Sequence, residues 1–409
     1  MNLILFSLAF LRSRLMERYI PNDRPLQPVT PHPELVASLT SLVQSASPES
    51  FSRAWKLQGL FDGPTGIAYL FLRLSQTHPE MTIRHRSARQ WAEAYIDGSY
   101  KTANDDYLAR NGYAVDPNRC GVANEILART AVDAAINQDA AKVMKLCQFA
   151  NWILTAEEGS DEWLYGRAGY LYLLRAATAR IGEVVEKEVL SEIERTKEKV
   201  VKRILQTPQP WYWHGKCYLG AAHGAIGIVT QLVLSLPECA SELEETVSHL
   251  LSLQLASGNW PPALPEAAQS YALNSNDKSR IQKMGQLVQF CHGAPGFITS
   301  LTAIRAYFPN HEKQIDEAIE IGRSHVWERG ILVKESCLCH GTCGNALCLS
   351  KSQFEQMLAL STEEKAKELG KFEPSFSPYG LYTGMAGRAW VWAVADSGIE
   401  QTFLGYNDM

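Results

Sequence analysis

Two short stretches carry side chains that bind soft metals: residues 290–296 read FCHGAPG and residues 337–346 read CLCHGTCGNA. Zinc prefers thiolate and imidazole ligands, and a catalytic zinc keeps three protein ligands and one open position. Cys291, Cys339 and His340 supply that set. Adjacent Cys339 and His340 can reach one ion only where the backbone turns sharply, as in a glycine-bounded loop entering a helix. Gly341 and Gly344 bound such a loop. A lone buried cysteine is usually a small hydrophobe. Here, however, two Cys-His-Gly tripeptides each carry a further glycine after two intervening residues. A local zinc knot of Cys337, Cys339, Cys343 and Cys348 is the lesser alternative, because its first pair is C-x-C rather than C-x2-C.

Ligands so far apart in the chain need elements that bring their loops together. Gly-x-x-Gly pairs begin at Gly63, Gly166, Gly224, Gly293, Gly341 and Gly384, and Gly121-Val-Ala-Asn124 is a seventh with Asn in the second place. Successive first glycines lie 58, 45, 58, 69, 48 and 43 residues apart. That is about the length of two helices and two connections, so a repeat fold is expected. A mostly apolar segment follows each pair, as residues 67–74, 170–177 and 226–234 show, and suits a buried inner helix. More polar amphipathic stretches such as 183–201 suit outer helices. Seven helical hairpins in a ring, with every Gly-pair loop at one end, satisfy this pattern, and the fold class expected is all-α. Inner-helix N-termini would then converge on one site and favour anions, thiolates among them. His223, in AAHG, holds the place in its own repeat that His292 and His340 hold in theirs, and should face the same pocket.

These motifs, with YLGAAHGAIGI at 218–228, DEWLYGRAGYLYLL at 161–174 and GLYTGMAGRAW at 380–390, resemble the eukaryotic lanthionine synthetase C-like (LanC-like) family. The likeness runs from about Arg18 onward. It implies an α/α toroid, zinc as cofactor, and glutathione as ligand or co-substrate. It also implies addition of a thiol to dehydroalanine or dehydrobutyrine residues of peptides or proteins. Zinc-bound thiols ionise near neutral pH although a free cysteine titrates at about 8.5. Addition of the thiolate creates an enolate that must be stabilised and protonated. The resemblance makes His223 the general acid/base and carries glutathione contacts onto Arg18 and Lys334, cations suited to its two carboxylates. His292 is a second catalytic candidate, with orientation of a ligand as its alternative role. Asp161, or its neighbour Glu162, is expected to orient the acid, with Tyr165 and Arg167 on the same rim. One departure stands out. Thr383 occupies the place where the family usually has an acid, so any contact of that carboxylate to an amino group is missing or replaced.

Composition sets the remaining bounds. The 409 residues are 46% hydrophobic, carry a net charge of −5 and have an estimated pI near 6.1, and no basic run with interleaved aromatics points to nucleic acid. Nine cysteines, an odd number, cannot all pair as disulfides, and a reducing, cytoplasmic setting is expected. Residues 1–17 are set apart as a leader and 18–409 as a single domain. The leader lacks a basic residue ahead of its apolar run and an A-x-A-like site after it, which makes a signal peptide the lesser reading. A dispensable leader, an upstream start, or peripheral contact with the plasma membrane through this N-terminus are the readings that remain. A non-catalytic glutathione sensor or scaffold is the main functional rival. A glycosidase-like barrel is disfavoured, because the loops offer few of the paired acids it would need.

Overall fold

The chain is described by a computed structural model over residues 18–23, 28–50, 57–155, 159–179, 187–265, 285–362, 365, 368 and 377–409. The leader at 1–17, and any membrane contact through it, lies outside the described residues. Seven inner helices follow the seven loops: Pro64–Thr77, Glu125–Asn137, Arg167–Thr178, Ala225–Ser235, Ala294–Ile304, Thr342–Ala346 and Met385–Ser397. Each packs on an outer helix, in turn Ala88–Thr102, Ala140–Gln148, Lys187–Leu205, Glu244–Ser252, Glu312–Arg329, Lys351–Ala359 and Pro31–Ser45. The last partner comes from the start of the described chain, so the ring closes end to end: an α/α toroid. One two-stranded ribbon, Thr82–Ile83 with Arg86–Ser87, is the sole sheet among the described residues.

Burial explains the division. Every residue of Glu125–Asn137 except Asn137 is buried, whereas Lys187–Leu205 buries only one stripe, including Val189, Ile193, Val200 and Ile204. An amphipathic helix is stabilised mainly by burying such a stripe. The second glycine of a pair is needed because the loop folds back over the first helical turn. A Cβ on Gly169 would meet the Trp163 carbonyl and one on Gly344 the Leu338 carbonyl, and Gly66, Gly227, Gly296 and Gly387 each meet the carbonyl six residues before them. In the second repeat Asn124 caps the helix instead, its Oδ1 accepting from the Leu127 N–H at 3.0 Å.

Main-chain contacts lace the loops into a ring. Leu60 N–H donates to the Val122 carbonyl, Ala123 to Leu164, Leu164 to Ala222, Cys291 to Cys339, Cys339 to Tyr382, and Tyr382 to Phe61. The remaining join is the approach of the Gly220 backbone to the Cys291 carbonyl.

Residues 402–408 run into the space that the inner helices enclose. Phe403 stacks on Phe290 with ring planes 13° apart, and Tyr406 shares a 2.6 Å hydrogen bond with Ser300. The buried Asp408 carboxylate accepts from the hydroxyls of Tyr69 at 2.9 Å and Tyr172 at 2.8 Å, and pairs with Arg73.

Candidate functional site

A cavity of about 190 Å³ opens at the centre of the loop ring. In six of the seven loops the residue two before the first glycine walls it: Phe61, Leu164, Ala222, Cys291, Cys339 and Tyr382. Tyr165, His223 and His292, one place further on in their own loops, also line it. Repeat register therefore puts chemically different side chains at equivalent places around one space.

The Cys291 and Cys339 side chains are hydrogen-bonded to each other, and the Gln289 amide donates to the Cys291 sulfur at 3.0 Å. The Cys339 thiol, helped by Gln289, holds Cys291 below its ordinary titration range. The same contact, with burial, raises Cys339 well above its own. The two thiols therefore titrate as an interacting pair, with Cys291 the readier to lose its proton. Lys334 donates to the Gln289 side-chain oxygen at 3.4 Å, so a cation stands beside the thiols. Arg18 is exposed on the adjoining backbone, its carbonyl accepting from the Val333 N–H at 3.2 Å. The two predicted glutathione contacts therefore lie on adjoining backbone segments.

His340 follows Cys339 directly but is not among the cavity-lining residues. Burial and the Lys334 charge push its imidazole down to about 4, so it is neutral at pH 7. Among the described residues no three His, Cys, Asp or Glu side chains converge as a metal site. The donor chemistry nonetheless fits zinc: two contacting thiols and, on the next residue, an imidazole kept in the neutral form that ligates. The remaining cysteines of this loop have other partners. Cys337 accepts from the His340 N–H, Cys343 contacts the Ser336 hydroxyl at 3.2 Å, and Cys348 donates to the Asn345 carbonyl at 3.1 Å. Burial pushes Cys337 and Cys348 up to about 12. A four-cysteine knot is not formed.

The histidine side of the cavity is set by Glu162. Its carboxylate is 1% exposed, accepts from the Leu164 N–H at 2.8 Å and from the Tyr165 N–H, and lies 2.9 Å from His223 Nδ1. A proton on Nδ1 satisfies that contact and leaves Nε2 to serve the cavity. Asp161, the other of the two carboxylates expected to orient the acid, pairs instead with Arg167 at 2.8 Å, and both are buried. Arg167 also donates to the Ile153 carbonyl at 3.2 Å and is absent from the rim, whereas Tyr165 is on it. His292 stands with its ring 6.1 Å from that of His223, and its buried Nδ1 has no hydrogen-bond partner among the described residues. Burial, with His223 nearby, pushes it down to about 4. A buried polar atom left unpaired marks a place where a ligand or function is expected.

Three contributors escape sequence reasoning. Trp213 stacks on His223 with centroids 4.1 Å apart and planes 4° apart, and only the aromatic run WYWHGKC hinted at it. Gln289 bonds Cys291. Asn259, in a segment that reads as a turn-rich connection, accepts from the Ala294 N–H at 2.6 Å and donates to the carbonyls of Gly285 and Leu287, fixing the Cys291 loop. At the last loop Thr383 donates to the Ser377 carbonyl at 3.3 Å, and the Ser377 hydroxyl bonds the buried Asp62 carboxylate of the first loop.

A ring of helical hairpins whose loops at one end carry paired thiols and a carboxylate-held histidine defines an α/α toroid with its candidate site among those loops. The chain belongs to the lanthionine synthetase C-like proteins, a family that matches it over residues 55–403. Among its relatives, the protein named glutathione S-transferase LANCL1 of Danio rerio is 26% identical over 385 residues, covering 87% of this chain and 84% of that one. LanC-like protein GCL1 of Arabidopsis thaliana is 28% identical over 283 residues, covering 61% of this chain and 59% of the other.

Proposed function

We propose that this protein adds the thiol of glutathione to dehydroalanine or dehydrobutyrine residues of peptides or proteins, using zinc held by Cys291, Cys339 and His340. The observation that carries this reading is the Cys291–Cys339 pair facing, across one small cavity, a histidine fixed by Glu162. The name of the Danio rerio relative supports glutathione as donor. Zinc, when bound, supplies an open coordination place at which a thiol loses its proton.

The chain's own residues do the rest. Arg18 and Lys334, on adjoining backbone segments, hold the two donor carboxylates. His223 Nε2 takes the thiol proton, and Glu162 stabilises the imidazolium that results. The new C–S bond forms at the β-carbon as the alkene pair moves toward the α-carbon, which then receives the proton from His223. Phe61, Trp163, Phe290 and Phe403 keep water from the enolate. His292 is a second donor within reach of the same space. All nine cysteines are free, which supports a reducing, cytoplasmic setting. No described helix is long and apolar enough to cross a membrane.

Mass spectrometry of a dehydroalanine peptide incubated with glutathione tests the reading, together with zinc analysis of the purified protein. The expected outcome is a thioether and one zinc per chain, both lost in Cys339→Ala. Equal rates with and without Cys339 would overturn it. Glutathione binding with no turnover would favour a sensor.

A further inference from the structure

Beside the reaction cavity lies a larger one of about 730 Å³, and Tyr165 walls both. At ~30 Å³ per water, the inner space holds only about six waters. Ligand sites usually run from ~300 to 1,000 Å³. The inner cavity therefore admits a reacting residue but not the chain on either side of it, and the larger one has the room.

Its walls suit a peptide. Tyr113, Tyr212 and Trp213 provide aromatic faces, and Gln58 and Asn118 bring amide groups of the kind that pair with extended backbone. A tight hairpin holds the aromatic side in place. Trp213 and Lys216 exchange main-chain hydrogen bonds of 2.9 and 3.0 Å across a two-residue turn in which His214 and Gly215 both have positive φ. Paired positive φ values are the signature of a rigid I′ turn. Trp213 presses on His223 from one side of this hairpin while Tyr212, 51% exposed, offers its ring to solvent. The cations Arg18 and Lys334 are not among the residues that line this second space.

We infer that the 730 Å³ cavity is the acceptor subsite: it binds an extended peptide through an aromatic residue next to the dehydroamino acid, delivering the alkene past Tyr165. The assignment rests on the reaction proposed above. Stacking of one aromatic side chain on such a wall corresponds to a preference of about tenfold.

The test compares dehydroalanine peptides flanked by Phe or by Gly, with N-acetyl dehydroalanine methyl ester as a minimal acceptor. The wild-type protein should show kcat/KM about tenfold higher for the Phe-flanked peptide. In Tyr113→Ala/Tyr212→Ala the ratio between the two peptides should fall toward one, with glutathione affinity by calorimetry as in the wild type. Asn118→Trp, at the exposed rim, exchanges one of the wall's amides for bulk in the same space while keeping the aromatic wall, and should depress both peptides relative to the ester. No flank preference in the wild type, or a changed glutathione affinity in either variant, would overturn the subsite. Failure of the wild type to modify even the ester would instead remove the reaction itself.

Discussion

Glu162 and Asp161 are adjacent carboxylates with opposite assignments, and substitution separates them. Glu162→Gln keeps the shape but weakens the hold on the His223 proton, so thioether formation should fall by about 10²-fold while glutathione affinity is kept. Asp161→Asn breaks a buried pair with Arg167, which should cost about 3 kcal/mol of stability by denaturant titration while turnover per folded molecule persists. The reverse pattern would exchange their roles. The sequence could not choose between them, because the choice depends on which carboxyl reaches the amides of Leu164 and Tyr165 after a turn made by backbone alone. Cysteines 291 and 339 were legible for a different reason. Their side chains are chemically unusual and their loops recur in register, whereas Trp213 reads as one more aromatic.

The helices were legible as elements because each Gly pair marks a start that the following apolar run confirms. What positions them was less so: Asn259 caps the helix Ala294–Ile304 from a distant loop, and no local pattern announces that bond. At this scale the outer helix Glu312–Arg329 carries a titration. His325 is 5% exposed, its Nε2 has no hydrogen-bond partner among the described residues, and burial, followed by the Arg329 charge, lowers its pKa from 6.5. The folded state thus favours the neutral ring. Its contribution to stability is complete above pH 6.5 and is lost as pH falls below that value. Thermal melting should drop between pH 7.5 and 5.5, and His325→Gln should show a smaller drop. An equal drop in both would exclude His325 as a contributor.

For the molecule as a whole, repeat count and spacing already implied a ring, but the occupant of its middle was invisible. The residues FLGYNDM form no motif, and their role emerges only from contacts with inner helices spread across the chain. Asp408→Asn should lower the melting temperature by several degrees, since Arg73, Tyr69 and Tyr172 would lose a buried anion. An unchanged melting temperature would mean that this network adds nothing. The pairing of Pro31–Ser45 with Met385–Ser397 has a further cost in time. A ribosome must add roughly 350 residues after Ser45 before the partner helix is complete, roughly half a minute at cellular speeds. Throughout that interval Leu35, Leu39, Leu42 and Val43 lack their native cover. The nascent chain should therefore be a client of holding chaperones until synthesis is nearly finished.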